Sequence, residues 1–102
     1  MSYDRNGLRF EGAFNQPGDL EAKSGVYVIW CKSGENWAVL DVGEASDVRA
    51  RVLGHDRKDC WRLHCSGDIY YAAHYTPGND EAGRREIEGR LRRMEKPPCG
   101  EI

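Results

Sequence analysis

No apolar run in this chain is longer than Val26–Cys31, which is strand-sized and far below the ~18 residues a membrane span needs. No sign of charge dominates either: 15 Lys and Arg stand against 17 Asp and Glu, a net charge of -2, which argues against a general nucleic-acid coat. The start Met1-Ser2-Tyr3-Asp4-Arg5 is polar, so no secretory leader is expected. There is no C-x2-C pair, so no tight turn presents two sulfurs to a tetrahedral ion. Low-complexity segments and internal repeats are also absent. At 102 residues, 39% hydrophobic and 31% charged, the chain reads as one globular domain with a modest core.

What is present is more specific. With no export signal, Cys31, Cys60, Cys65 and Cys99 are expected as reduced thiols in a cytoplasmic protein. Zinc is the alternative, since His55, Cys60, His64 and Cys65 offer four ligands within 11 residues. The balanced net charge conceals blocks. Residues 48–64 carry five basic side chains against two acidic, and residues 84–102 carry six against four. These two segments are expected to form a positive face toward phosphate, or else simply to be solvated helix surface.

Residues 1–24 read as an N-terminal extension with a weak strand at 8–14 and a Pro17-Gly18 turn. Gly25–Cys31 and Trp37–Val42 are strands by β-branched and aromatic content, joined by a loop at 32–36. Ser46 or Asp47 caps a helix to Leu53, stopped by Gly54, and residues 55–67 are irregular. Asp68–Tyr75 is a strand, and Asn79 or Asp80 caps a last helix to Lys96, before Pro97-Pro98. The order β-β-α-β-α predicts an α+β fold with a small antiparallel three-stranded sheet flanked by helices over residues 25–102.

Within that order, Gly25-Val26-Tyr27 opens one strand and Asp41-Val42-Gly43 closes the next. Arg51 lies on the following helix, and Glu88 lies nine residues before Pro97. This arrangement resembles the GIY-YIG nuclease family, which includes the N-terminal nuclease domain of the bacterial excision-repair C subunit and some homing and restriction endonucleases. The resemblance spans residues 25–100. It implies a metal-dependent endonuclease that hydrolyses phosphodiester bonds in nucleic acid, DNA above all. Tyr27, Asp41, Arg51, His55 and Glu88 would be catalytic, with Glu88 holding Mg²⁺ or Mn²⁺. The alternative is an inactive GIY-YIG-like domain that binds nucleic acid or a protein partner. Because no added DNA-binding domain is evident, specificity would come from a partner or from substrate shape.

Three positions depart from the family pattern. Asp41 replaces the second motif tyrosine, Glu44 replaces a common lysine, and Gly100 replaces an asparagine. A hairpin pairing Cys31 with Trp37 would set Tyr27 directly opposite Asp41, and there a carboxylate could serve as base or metal ligand. Asp41→Tyr is expected to be tolerated, raising activity if Asp41 is an impaired substitute for the motif tyrosine and lowering it if Asp41 is the working base. Glu88 also has a plain explanation as an i,i+4 ion pair with Arg84 or Arg92, and His55 as a surface histidine past the Gly54 stop.

Overall fold

The computed structural model describes residues 1–100, so the last two residues of the expected 25–102 domain lie outside the described part. Strands β1 (Ser2–Arg5), β2 (Leu8–Phe14), β3 (Gly25–Ser33), β4 (Asn36–Ala45) and β5 (Asp68–Tyr75) join helices α1 (Val48–Leu53), α2 (Lys58–Leu63) and α3 (Glu81–Glu95). All five strands form one antiparallel sheet in the order β1-β2-β5-β3-β4. This corrects the expected three-stranded arrangement. The N-terminal residues supply a hairpin that pairs through β2 with β5, because alternation in Leu-Arg-Phe-Glu-Gly buries Phe10 while its neighbours stay exposed. The stretch taken as irregular after Gly54 contains α2, which is only six residues long and is held by one buried side chain, Trp61.

The sheet is covered on both faces, which explains why β3 reads as continuous apolar sequence instead of alternating. Tyr27, Ile29 and Cys31 face α1 and α2, and pack with Val48, Val52 and Trp61. Val26, Val28 and Trp30 face the other way, toward Phe10 and toward Leu91 of α3. Burying each such large apolar side chain contributes about 1.5–3 kcal/mol, so both layers matter to a chain of this size.

The hairpin register differs from expectation in two steps. The loop is a two-residue turn, Gly34-Glu35, with Gly34 at φ 62, so Cys31 pairs with Ala38. A bulge between Ile29 and Trp30 then adds one residue on β4, so Ile29 faces Asp41 and Tyr27 faces Gly43. Because side chains alternate with a period of two, the combined slip leaves Asp41 on the Tyr27 face while moving it two pairs away, opposite Ile29. At the helix starts, Asp47 accepts from the Ala50 N–H at 3.0 Å and Asp80 from the Gly83 N–H at 2.9 Å. Each satisfies an N–H that has no partner within its helix.

Candidate functional site

The site grows from a carboxylate that the sequence places in an apolar strand. Asp41, between Leu40 and Val42, is fully buried, and a buried charge needs partners. It has five donor contacts. Arg57 reaches Oδ2 through Nε at 2.8 Å and Oδ1 through Nη2 at 3.2 Å, and Arg92 reaches Oδ1 at 2.7 Å. Trp61 Nε1 donates to Oδ2 at 2.8 Å, and the Val42 N–H donates to Oδ1 at 2.8 Å. Arg92 also donates to the carbonyls of Val42 and Cys99. Asp41 therefore ties β4 to α2, α3 and the C-terminal segment. Its acceptor sites are occupied, so it is neither a proton acceptor nor an open metal ligand.

Two pairs further along the hairpin, the Tyr27 hydroxyl lies 2.6 Å from His55 Nε2. His55 Nδ1 accepts from the Arg57 N–H at 3.0 Å, so the neutral ring carries its proton on Nε2 and donates it to Tyr27 Oη. Burial, reinforced by Arg51 and Arg57, pushes the His55 pKa down to about 4. The nearby Asp56 oxygen, 3.4 Å from Nδ1, is therefore not an ion-pair partner near neutral pH. Burial pushes Tyr27 up to about 12, with Arg51 opposing and Asp41 adding to the rise, so this hydroxyl keeps its proton. Gly43 is required here, because a Cβ on it would overlap the Tyr27 hydroxyl and ring.

Arg51 and Glu88 lie nearer the solvent. Arg51 has 38% of its side chain exposed and pairs with Asp56 at 3.2 Å. Glu88 is 24% exposed and accepts from Arg92 Nε at 3.4 Å, the i,i+4 pair open to it from spacing alone. Both are close enough to act electrostatically on Tyr27. Tyr27, Asp41 and His55 are buried together with Arg51 at their rim, whereas Glu88 lies on α3, which packs on the other face of the sheet, and is tied to this cluster through Arg92, which engages both Glu88 and Asp41. Sequence reasoning missed Arg57, Arg92 and Trp61. The signal available for them was Leu40-Asp41-Val42 itself, a carboxylate in a buried strand, which demands cations from elsewhere. The departures from the motif are also absorbed. Glu44 is neutralised by Arg84 at 2.9 Å, and Gly100, at φ 96, lies against the Arg92 guanidinium where any side chain would collide.

The cysteines overturn two expectations. Cys31 is bonded to Cys65 and Cys60 to Cys99, and no described cysteine is free. Disulfides persist in oxidising compartments, so the cytoplasmic assignment with reduced thiols is corrected. The Mg²⁺ or Mn²⁺ assignment at Glu88 is corrected as well. Among the described residues, the group able to chelate a metal ion is Cys60, His64 and Cys99, whose ligand atoms all lie within 4.8 Å of one another. Sulfur and imidazole are zinc-type donors, whereas Mg²⁺ takes oxygen. Two of the three donors are joined in the Cys60–Cys99 disulfide, so this group coordinates through thiolates only after reduction. The expected zinc set is redrawn accordingly, with His55 committed to Tyr27 and Cys65 to Cys31.

No protein-family profile, curated protein or solved structure matches the chain.

Proposed function

We propose that this chain acts on the phosphodiester backbone of nucleic acid, as a nuclease of the GIY-YIG kind in which Asp41 has become structural. The observation that carries the reading is the 2.6 Å Tyr27–His55 hydrogen bond, flanked by Arg51 and Glu88 from separate elements. An incoming phosphate meets the partly exposed Arg51 and Arg57 guanidiniums, permanently charged forks suited to its oxygens. Tyr27 accepts from His55 and so directs its own proton elsewhere, as a polarised donor to a phosphate oxygen. Glu88 has a carboxylate oxygen beyond the one Arg92 engages, and that oxygen takes the proton of the attacking water. Arg51 then stabilises the added negative charge of the pentavalent transition state, from which the P–O ester bond breaks and the leaving oxygen takes a proton from solvent.

A second reading rests on burial: Tyr27 is 1% exposed and His55 5%, which favours a domain that binds nucleic acid without cutting it. Supercoiled, branched and single-stranded DNA, incubated with the protein across a panel of divalent ions and in chelator, separates the two. A nuclease cuts at least one substrate, and Arg51→Ala and Glu88→Gln each reduce cutting by about 10²-fold. Salt-sensitive binding without cutting leaves the second reading. Neither cutting nor binding refutes both.

A further inference from the structure

The other face of the sheet carries a cavity unrelated to the cluster around Tyr27 and Asp41. Strand β1 curls over the sheet so that the Tyr3 hydroxyl accepts from Trp30 Nε1 at 2.8 Å, and Arg5 lies 4.9 Å from the Trp30 ring while paired with Glu95 of α3. Between β1 and the turn end of the β3–β4 hairpin is a cavity of about 540 Å³, lined by Tyr3, Arg5, Trp30, Lys32, Trp37 and Tyr70 among others. Its aromatic rings form a connected platform. Trp37 meets Tyr70 edge-on at 5.0 Å and Trp30 at 6.0 Å. Trp37 is 45% exposed, unusual for so large an apolar side chain in a folded sheet. Lys32 holds its ammonium 5.5 Å from the Trp37 ring and enters none of the salt bridges among the described residues, while Asp4, the carboxylate in the lining, is engaged by Arg9 at 2.7 Å.

We infer that this cavity is a binding site for a nucleobase carrying a phosphate, with the base stacked on Trp37, bordered by Tyr70, and the phosphate near Lys32. The volume lies within the ~300–1,000 Å³ of small-ligand sites. Aromatic faces beside an unpaired cation match both halves of a nucleotide, whereas a purely apolar ligand would leave the lysine unused. The site rests on the proposed function only in that nucleic acid is then the natural source of the base.

The test is anisotropy titration of the intact, disulfide-bonded protein with a labelled oligo-dT, the same sequence as duplex, and competing thymidine monophosphate. Wild type is expected to prefer the single strand. Trp37→Ala, at an exposed position, is expected to weaken single-strand binding by about 5- to 100-fold, the usual loss for one stacked base. Lys32→Ala is expected to weaken it and to flatten its salt dependence. Circular dichroism confirms that both variants fold. Competition by the mononucleotide identifies a free nucleotide as the ligand, and its failure identifies a strand; either result with Trp37 dependence supports the site. Equal affinity of Trp37→Ala and wild type for the single strand overturns it. Arg51→Ala serves as the separating variant. If Arg51→Ala cuts as well as wild type while Trp37 still governs single-strand binding, the catalytic reading fails and this site stands.

Discussion

Replacing Asp41 by asparagine removes one charge and almost no volume, yet it should be among the most damaging single changes in the protein. The two carboxylate oxygens receive five contacts, all from N–H donors: three to Oδ1 and two to Oδ2. An asparagine amide must turn its NH2 toward one of those sets, so at least two donors lose their acceptor and face another donor. The Arg57 and Arg92 guanidiniums, 26% and 15% exposed, also lose their counter-charge. Removing one partner of a buried ion pair costs about 3–5 kcal/mol, and partial access of both arginines to water places the expected loss near the lower end, at about 3 kcal/mol. For a domain whose total stability is on the order of 5–15 kcal/mol, that is a large fraction. Equilibrium urea unfolding of oxidised wild type and Asp41→Asn, followed by far-ultraviolet circular dichroism, measures it. Asp41→Tyr, tolerable if the residue merely stood in for a motif tyrosine, should fail to fold, since a phenol cannot fill this site or neutralise two cations. A loss below about 1 kcal/mol for Asp41→Asn, the range of ordinary surface changes, would refute the keystone role.

Three further outcomes are expected. Because His55 has a pKa of about 4 when folded against 6.5 free, the unfolded chain alone holds its proton between those values. Stability should then be flat above pH 6.5 and fall by up to about 3 kcal/mol toward pH 4, a slope that His55→Gln should flatten in urea titrations at each pH. Gly43→Ala forces a methyl group into Tyr27 and should cost about 1–3 kcal/mol by overpacking, with a shifted His55 ring signal in NMR as the local readout. The unreduced protein should show no reactive thiol, and reducing either bond should cost about 4 kcal/mol in the chain-entropy account for separations of 34 and 39 residues. The reduced protein should then take up zinc, as read by a chromogenic chelator, with His64→Ala weakening uptake and the oxidised protein taking up none.

How legible each part was follows from the range of the forces involved. The β3, β4, β5 and α3 segments were readable because β-branched runs, cap residues and Pro97-Pro98 act over a few positions. Strand β1 and helix α2 were not, being four and six residues long and stable only through what they pack against. The sequence puts Tyr27, Asp41, Arg51, His55 and Glu88 forward as candidates, but it does not show what each of them contacts. Asp41 looked chemically available until Arg57 and Arg92, 16 and 51 residues further along the chain, were seen to enclose it.

The sequence by itself determined the strand-forming runs and narrowed each helix start to two capping residues, Ser46 or Asp47 and Asn79 or Asp80, because propensity and capping are local properties; the structure selects Asp47 and Asp80. Only the tertiary structure decided which cations meet Asp41, which cysteines pair, and that Tyr27 faces Gly43 instead of Asp41. Those outcomes depend on distances between residues far apart in the chain. In the β3–β4 hairpin, a one-residue turn difference and a single bulge were enough to reset the pairing of Tyr27, and no local pattern records either.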